Sequence, residues 1–542
     1  MNAEERRFLT FKLFSLIAEK PKKNKYGLLG LLQDDGIFNY SISDINSVLY
    51  GNPDIFIKDS QTLPFWVARV SDLTCHNESA QLNQVTSPDL SLYKGHTPRA
   101  WQTDALLEWI QRGRRGVVEA VTGTGKTAVG ILAAADALSR GLRVLILVPG
   151  VDLLEQWFIK LEADLPLNKT GKFCNGHTDT LFTHEVVVAT VQSACKYNML
   201  SAETQGLLIA DEVHRYGTAR YSLALEEAFN ERLGLTATYE RNDNGIAEHL
   251  SPYFSLPNKD VIDSGAVISG CGYARGLADG ILAPFRVGLI GLNLEVDDQI
   301  KYENLSESLR KKRRKLIKDF GCPPEPFGEF IAGVQMLEIG SGDLTATQTA
   351  RGYLRDFADR RKLLAETSTK LHAFELLYYP LKLANHSLVF TETKESAINV
   401  AGKLQEMGIK AEEFSSGISK EDRKNRLEEF KNGTIKVLCA PRVLDEGVDL
   451  PEADMGIILA STKTKRQMIQ RMGRIIRPKM DGRSATFIIV YMNNTSEDPE
   501  IGAYEGFLNE VTDLAESIGR FDENTDISEL LQWYIRGIGF CT

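Results

Sequence analysis

Apolar residues recur along most of the chain in two alternating patterns, one typical of buried strands and one typical of amphipathic helices. Short apolar runs such as VLILV, VVVAT and GLLIA predict buried parallel strands, and the segments between them carry apolar residues at helical spacing. Strands that alternate with helices in this way predict an α/β fold with doubly wound parallel sheets. We expect one such domain over residues 96–296 and a second over 371–495.

The segments outside these two regions have other patterns. Residues 1–72 carry three candidate helices followed by two short strands around the turn DSQTLP, which predicts a small winged-helix-like domain. Its third candidate helix is not basic, so DNA binding and protein docking both stay open for this unit. Residues 73–95 are polar and rich in Ser and Asn, as is typical of a linker. Residues 297–370 are predicted to be a helical insertion and interdomain connection, and 496–542 a helical tail.

Composition limits the classes of protein to which the chain can belong. Its 542 residues are too many for one ordinary core, and 43% apolar and 25% charged residues are typical of a globular protein. No apolar run of about 18 residues is present, so we expect no membrane association. The seven cysteines are scattered, which predicts reduced thiols in a cytoplasmic protein. Since the net charge is −10, nucleic acid would have to be bound by a local basic surface.

The stretch EAVTGTGKTAVG (119–130) lies between an apolar strand and a helix, which is the context of a phosphate-binding loop. Its glycines let backbone N–H groups turn toward phosphate oxygens, and the helix N-terminus adds partial positive charge. We predict that Lys126 reaches the β- and γ-phosphates of ATP and that the Thr127 hydroxyl binds Mg²⁺. Ala120 replaces the first glycine of the usual pattern. The other residues predicted to contact phosphate are Thr122, Gly123, Thr124 and Gly125.

A second element, GLLIADEVHRYG (206–217), is an apolar strand that ends in two carboxylates. Ligands bind at the carboxyl ends of parallel strands in α/β sheets, so these side chains are placed for chemistry. We predict that Asp211 holds Mg²⁺ and that Glu212 orients and deprotonates the attacking water.

A third element, IQRMGRIIRPK (469–479), places Arg471, Arg474 and Arg477 on roughly one face of a helix. Such arginines are often only a solvated stripe. However, loss of a γ-phosphate requires cations in the transition state, and the first half of the chain supplies few. We therefore predict that Gln470, Arg474 and Arg477 complete the ATP site from the second domain.

Together these elements resemble the ordered motifs of superfamily 2 nucleic-acid helicases, between residues 97 and 480. The resemblance implies two RecA-like domains that close on ATP. The remaining stretches that carry it are TPRAWQTDAL (97–106), VLILVPGVDLLEQW (144–157), VVVATVQSA (186–194), LGLTAT (233–238), LVFTET (388–393) and VLDEGVDLPEAD (443–454).

The same resemblance implies roles for further residues. Arg99 and Gln102 correspond to the adenine-contacting element, and Gly447 and Asp449 lie in the motif V segment of the nucleotide site. The positions that correspond to nucleic-acid contacts are Thr190, Gln192 and Thr391. The positions that link the two sites are His214, Thr236, Thr238 and Arg241.

Within the superfamily, the chain resembles XPB-type DNA helicases and their bacterial RadD-like relatives. The stretch LGLTATYERND places Arg241-Asn242-Asp243 where that family carries an Arg-Glu-Asp element, and 300–345 lies where it inserts a helical thumb. Asn242 departs from the family's Glu, which puts the strand-separating role of this element in doubt. At the start of motif V, Ala440 and Pro441 replace small hydroxyl residues, so we predict that Arg442 makes the phosphate contact instead.

The predicted thumb contains RKKRRKLIK (310–318), with seven basic residues in nine. This run can be interpreted in two ways: as a solvated helix face, or as a surface that binds the nucleic-acid backbone. The nucleic-acid contacts predicted here are Arg310, Lys311, Lys312, Arg313 and Arg314.

The motifs and the resemblance together predict an ATP-dependent DNA helicase or translocase of 3′ to 5′ polarity that acts in repair or anti-phage defence. Its predicted partners are DNA, single-stranded or duplex with a tail, and a protein or nuclease bound through the N-terminal unit. Three alternatives stay open: a duplex translocase without unwinding, an RNA helicase, and a nucleic-acid-binding switch gated by ATP.

Overall fold

The computed structural model divides into two compact units, Met1–Gln84 and Val85–Thr542. The residues it describes are 56–59, 65–68, 87–166, 170–201, 204–255, 266–340, 342–415, 418–441, 453–459, 468, 471–473, 475–479 and 481–537. In the first unit, β1 (Phe56–Asp59) pairs with β2 (Phe65–Ala68) in an antiparallel hairpin around the predicted turn. The three candidate helices before this hairpin lie outside the described residues, so the winged helix stays a prediction.

The first domain of the second unit is a sheet with the strand order β10-β3-β9-β8-β4-β7-β5-β6, in which β6 alone of the described strands runs antiparallel to its neighbour. Several central strands are buried along their whole length, as expected for a parallel sheet covered on both faces. The strands are β3 (Arg115–Ala120), β4 (Arg143–Val148), β5 (Thr170–Cys174), β6 (His177–Thr178), β7 (Val186–Thr190), β8 (Gly206–Asp211), β9 (Glu231–Thr236) and β10 (Val267–Cys271).

Helices cover both faces of this sheet. The alanine-rich α2 is almost wholly buried among the strands, because small side chains let it approach the sheet closely. The helices are α1 (Ala100–Gln111), α2 (Lys126–Ser139), α3 (Val151–Asp164), α4 (Val191–Ala194), α5 (Ser251–Phe254) and α6 (Tyr273–Ala278).

The second domain is a parallel sheet with the strand order β13-β14-β12-β15-β16-β11-β17. Two parallel-sheet α/β domains are therefore present, as the sequence predicts. The strands are β11 (Phe285–Leu292), β12 (Ser387–Thr391), β13 (Ala411–Glu413), β14 (Val437–Pro441), β15 (Met455–Ile458), β16 (Ala485–Met492) and β17 (Ser517–Asp522). The helices of this domain are α10 (Thr369–Leu376), α11 (Tyr378–Leu383), α12 (Lys394–Glu406), α13 (Lys420–Lys431), α14 (Glu505–Val511) and α15 (Ile527–Gly537).

Two segments differ from the predicted boundaries. The sequence pattern places 281–296 at the end of the first domain, but β11 pairs along its full length with β16 of the second sheet. All eight residues of β11 are buried, Arg286 included, and a strand that is buried on both faces suits either sheet, so its pattern cannot identify its partner. The predicted helical tail, 496–542, also contains a strand, β17, which adds to the edge of the second sheet beside β11.

Three helices between β11 and β12 form the thumb: α7 (Val296–Phe320), α8 (Phe327–Gly340) and α9 (Leu344–Glu366). They share a small apolar core that includes Leu316, Phe330 and Tyr353. Because β11 and β12 both belong to the second sheet, the thumb is an insertion within the second domain and not the crossing between domains. Across the described residues, no helix is long and apolar enough to cross a membrane.

Candidate functional site

The predicted phosphate-binding loop joins β3 to α2 at the carboxyl edge of the first sheet. Gly123 (φ 92°) and Gly125 (φ 95°) have left-handed backbone conformations, which glycine adopts without steric cost. The Thr124 hydroxyl donates to the Val121 carbonyl over 2.8 Å and so closes the loop. Gly125 is also the N-cap of α2 and has no side chain to cap the first N–H groups, so these donors can bind an anion.

Arg99 and Gln102 brace this loop from α1 and its N-cap. Arg99 Nη1 donates to the Thr124 carbonyl over 2.7 Å, and Gln102 Nε2 donates to the Gly125 carbonyl over 3.0 Å. The two residues also bind each other, since the Arg99 N–H donates to Gln102 Oε1 over 2.8 Å. The structure thus brings both residues to the phosphate-binding loop, while their predicted contact with adenine stays a prediction.

Asp211 is the last residue of β8 and is held by two hydrogen bonds. Trp157 Nε1 donates to Asp211 Oδ2 over 2.7 Å, and the Glu212 N–H donates to Oδ1 over 2.9 Å. Burial raises the pKa of Asp211, whereas the bond from Trp157 and the charge of Lys126 lower it. The sequence does not predict that Trp157 contacts Asp211, because its position on α3 fits an ordinary core residue equally well.

Lys126 and Glu212 form an electrostatic cluster with Asp211. Lys126 Nζ donates to the Ala120 carbonyl over 2.7 Å, inside the loop. Burial lowers the pKa of Lys126, and the charges of Glu212 and Asp211 oppose that change. Glu212 has a left-handed backbone conformation (φ 51°), which is uncommon for a residue with a side chain and occurs at functional sites. The cluster therefore places one cation and two carboxylates at the edge where phosphates would lie.

The residues predicted to link two sites do contact one another. His214 Nδ1 lies 2.9 Å from Thr236 Oγ1 and 3.5 Å from Glu212 Oε2. The Thr236 hydroxyl donates to the Thr238 carbonyl over 2.7 Å. Arg241 Nη1 donates to the His214 carbonyl, which attaches the loop after β9 to the same group. A continuous set of contacts thus runs from Glu212 to Arg241.

The helix of the predicted motif VI lies directly against the phosphate-binding loop. A methyl group at Gly473 would lie 2.5 Å from Thr122 Cβ. A methyl group at Gly123 would lie 3.1 Å from the Gly473 carbonyl oxygen and 3.8 Å from Arg477 Cγ. The two backbones are therefore in contact, and the side chain of Arg477 starts beside the loop.

Apolar side chains extend this contact between the two domains. One buried cluster contains Val121 and Ala237 from the first domain together with Met472 and Ile476 from the second. Water is therefore excluded behind the loop on the side that faces motif VI, where the field of any charged group is stronger.

Not all predicted residues of the second domain can be placed. Gln470, Arg474, Arg442, Gly447 and Asp449 lie outside the described residues, so their roles stay predictions. Of the three arginines predicted to share one helix face, Arg471 is fully buried with its guanidinium 5.3 Å from the ring centre of Phe390. It packs within the second domain, whereas Arg477 lies at the loop.

The residues of the two domains that are predicted to contact nucleic acid form hydrogen bonds within the protein. The Thr190 hydroxyl donates to Ser193 Oγ over 3.0 Å, and Gln192 Nε2 donates to the Pro149 carbonyl over 2.7 Å. Thr391 is fully buried, and its hydroxyl donates to the Thr393 carbonyl over 3.1 Å. These bonds fix the shape of the loops, and contact with a nucleic acid stays a prediction for all three.

The basic run of the thumb divides between two uses. Lys312 Nζ donates to Asp356 Oδ2 over 2.6 Å, and Arg313 Nη2 donates to the Pro324 carbonyl over 2.8 Å, so both hold thumb segments together. Lys311 pairs with Glu307 over 2.7 Å on the surface of α7. Four further basic side chains of the run are exposed: Arg310, Arg314, Lys315 and Lys318. They form the exposed basic face of α7, and the last two are absent from the predicted set.

Two families match this chain, one in each domain. Residues 95–241 match the family described as "Type III restriction enzyme, res subunit", and residues 371–479 match "Helicase conserved C-terminal domain". Neither match includes β11 or the thumb.

Similar proteins span most of this chain. "DNA 3'-5' translocase XPB2" of Sulfurisphaera tokodaii is 26% identical, over 74% of this chain and 82% of that protein. "DNA 3'-5' helicase XPB" of Kineococcus radiotolerans is 25% identical, over 77% of this chain but only 63% of its own length, which is less than two thirds. The solved structure of S. cerevisiae Dbp5 bound to RNA and ADP BeF3 has a TM-score of 0.50 at 13% identity and covers 81% of this chain and 93% of that one, which shows the fold alone.

Proposed function

Because this chain is a superfamily 2 helicase similar to the XPB-type enzymes, and thus an ATP hydrolase, we propose that it couples ATP hydrolysis between its two domains to 3′ to 5′ movement along DNA. The observation that carries the proposal is the contact of Gly473 and Arg477 with the phosphate-binding loop. It brings the stem of an arginine from the second domain beside the loop that would hold the phosphates, which supports a role for this cation at the γ-phosphate. The names of the XPB-type relatives support DNA as the track and the polarity.

The chain's oxygen ligands fit a magnesium nucleotide. Thr127 lies in the first turn of α2, and Asp211 carries a buried carboxylate at the end of β8, which one strand, β9, separates from β3. Hydroxyl and carboxylate oxygens are ligands that Mg²⁺ prefers, and it usually takes its other ligands from phosphates and water. The described residues contain no cluster of three or more His, Cys, Asp or Glu side chains that could hold a metal ion. When bound, the ion would neutralise charge on the phosphates.

Residues of the two domains have different roles in ATP hydrolysis. Lys126 and the N–H groups of α2 bind the phosphates, and Glu212 accepts a proton from the attacking water. Arg477, joined by the predicted Gln470 and Arg474, stabilises the charge that develops on the γ-phosphate. Since both domains contact the same triphosphate, its loss weakens their contact, and this difference in affinity drives the motion.

A second candidate, movement along duplex DNA without strand separation, is favoured by the Arg241-Asn242-Asp243 element. Arg241 Nε donates to Asp243 Oδ1 over 2.6 Å, and Arg241 Nη1 donates to the His214 carbonyl. Both charged side chains of the element are thus used inside the protein. A helicase should displace a labelled strand from a tailed duplex, whereas the translocase should displace only a triplex-forming strand.

ATP turnover with and without DNA tests the proposed function. The wild-type protein should be stimulated by DNA, and the Lys126→Ala variant should lose this turnover while its circular dichroism spectrum stays native. RNA serves as the second track in the same assay. A wild-type protein that DNA does not stimulate, or a Lys126→Ala variant with normal turnover, would remove the proposal.

The proposed setting is DNA repair or defence against phage, supported by the XPB-type relatives and by the match to restriction subunits. In either setting the N-terminal unit docks a partner protein or nuclease. Survival of a deletion strain after DNA damage and after phage infection separates the two settings, and sensitivity to neither treatment would reject both.

A further inference from the structure

The thumb is rooted firmly in the second domain. Leu364 of α9 and Tyr302 of α7 belong to the buried core beneath the second sheet. The Ser496 N–H donates to the Tyr302 hydroxyl over 2.7 Å, and Arg361 pairs with Glu392 directly after β12. Movement of the second domain should therefore carry the base of the thumb with it.

The start of α8, within the thumb, touches the first domain. The Gly328 N–H donates to the Asn242 carbonyl over 3.0 Å. The packing is close, because a methyl group at Gly328 would lie 2.2 Å from that carbonyl oxygen and 2.8 Å from its carbon. This pairing of Gly328 with the Asn242 carbonyl is called the thumb contact below. It lies between backbone atoms, so no side-chain rotation can relieve a clash there.

The loop that carries Asn242 is itself fixed to the nucleotide site. Arg241 donates to the His214 carbonyl and pairs with Asp243, whose pKa this hydrogen bond lowers. Two glycines leave room for the arginine: a methyl group at Gly217 would lie 2.9 Å from Arg241 Nε, and one at Gly245 would lie 2.8 Å from it. The carbonyl that the thumb meets is therefore held in a fixed position relative to the Glu212–His214 segment.

These three observations describe a thumb that spans the cleft. Its base moves with the second domain, and its α8 end rests on a loop anchored to the ATP-hydrolysing residues of the first. Any change in the separation of the two domains must either strain the thumb contact or tilt the thumb. The exposed basic face of α7 belongs to the same rigid three-helix unit, so a tilt would move it as well.

We propose that Gly328 is a positioning residue, and that its contact with the Asn242 carbonyl carries the nucleotide state of the cleft to the basic face of the thumb. The inference rests on the proposed function, because it assumes a motor whose cleft changes with ATP. It assigns to the Arg241-Asn242-Asp243 element a role that needs the backbone of Asn242 and not its side chain.

The substitution Gly328→Ala tests the proposal, with Gly333→Ala as the matched control. Both exchanges lie in α8 and add one methyl group to a glycine. At Gly333 the atoms nearest to the new methyl group would be Pro323 Cδ at 3.4 Å and Cys322 Sγ at 3.5 Å, which are ordinary contacts. Only the Gly328 variant therefore forces the thumb away from the first domain.

The expected result is a loss of coupling without a loss of catalysis. Turnover without DNA and affinity for ATP should stay at the wild-type level in both variants. In Gly328→Ala alone, stimulation by DNA should fall about fivefold or more, which is the lower range of typical allosteric coupling. The effect of ATP on DNA affinity should also fall, and by reciprocity the effect of DNA on ATP affinity should fall by the same factor as that binding effect. Equal stimulation in the Gly328→Ala, Gly333→Ala and wild-type proteins would overturn the proposal.

A measurement on the wild-type protein covers the case in which Gly328→Ala does not fold. Hydrogen exchange at the Gly328 amide should change when a non-hydrolysable ATP analogue binds, while amides inside the thumb core should not respond. Identical exchange at Gly328 in both states would also overturn the proposal. Absence of DNA stimulation in the wild-type protein would instead reject the proposed function itself, so the two failures are distinguishable.

Discussion

Two close contacts between the first and second domains, one at the phosphate-binding loop and one at the thumb, differ in how the sequence encodes them. At the phosphate-binding loop, Gly473 lies against Thr122, and the side chain of Arg477 starts beside the loop. At the thumb, Gly328 lies against the Asn242 carbonyl, and beside it the Glu329 carboxylate accepts from the Asn244 N–H over 3.5 Å. Both depend on a glycine that lets two backbones approach. Only the first is accompanied by side chains whose types identify a reaction, so only the first can be read as a site from sequence.

The largest expected effect comes from removing the cation at the first contact. An arginine that stabilises phosphoryl transfer contributes about 10³ to 10⁵ in kcat, so Arg477→Ala should lose turnover within that range. Affinity for ATP should fall far less, since the loop and Lys126 remain. Rapid-quench hydrolysis and a fluorescent nucleotide titration measure the two quantities. Wild-type hydrolysis in this variant would show that Arg477 does not act on the phosphate.

A smaller effect is expected when the same contact is disturbed without removing charge. Gly473→Ala places a methyl group against Thr122, and overpacking of this kind typically costs about 1–3 kcal/mol. The closed state should be disfavoured by that amount, so turnover should fall by roughly five- to 150-fold. Gly402→Ala in α12 is the control, because a methyl group there would meet nothing within 4 Å. If both variants hydrolyse ATP alike, the close packing at Gly473 has no role in closure.

The thumb gives a third test, on nucleic-acid affinity and not on chemistry. Replacing Arg310 and Arg314 by Gln removes two exposed charges from α7. Each lost phosphate contact should reduce the slope of log K against log salt concentration by about 0.9 on duplex DNA. Turnover without DNA should not change. The control, Lys362→Gln, removes an exposed charge from α9. An unchanged slope in the double variant would leave the basic run as a solvated helix face.

The smallest effect concerns Trp157, which holds Asp211. Trp157→Phe removes a hydrogen bond that lowers the pKa of that carboxyl, so the pKa should rise further from its ordinary value. Because Asp211 acts as a carboxylate, activity should then be lost at a higher pH as the solution is acidified. Trp109→Phe is the control, since its indole donates to the Arg232 carbonyl, away from the site. If the two variants lose activity at the same pH on acidification, the hydrogen bond from Trp157 has no part in the reaction.

The sequence predicts the first domain well because each of its motifs is local. The phosphate-binding loop, Asp211 and Glu212 are contiguous with the strands that position them, so type and spacing suffice. The partner of β11 cannot be predicted in this way, because a strand that is buried on both faces carries no mark of which sheet it joins. The same holds for Trp157, whose indole looks like any core aromatic until its Nε1 is seen to meet Asp211.

The thumb shows what a sequence pattern cannot predict. Its helices and its basic run can be predicted from the sequence, but which residues of that run are exposed and which bind within the thumb cannot. Lys312 and Arg313 bind within the thumb, whereas Lys315 and Lys318 are exposed, and this depends on how α7 is rotated against α9. The thumb contact is even harder to predict from the sequence, because a backbone N–H and a carbonyl are present at almost every residue of a chain.

The central claim is that residues from both domains act on one triphosphate, and a double-variant comparison tests it most directly. Single-turnover ATP hydrolysis should be measured in Lys126→Ala, in Arg477→Ala and in the protein that carries both changes. Groups that act as a unit are strongly non-additive, so the account predicts that the double variant is about as slow as the slower single variant. Losses that multiply would show that the two residues act independently, and would contradict it.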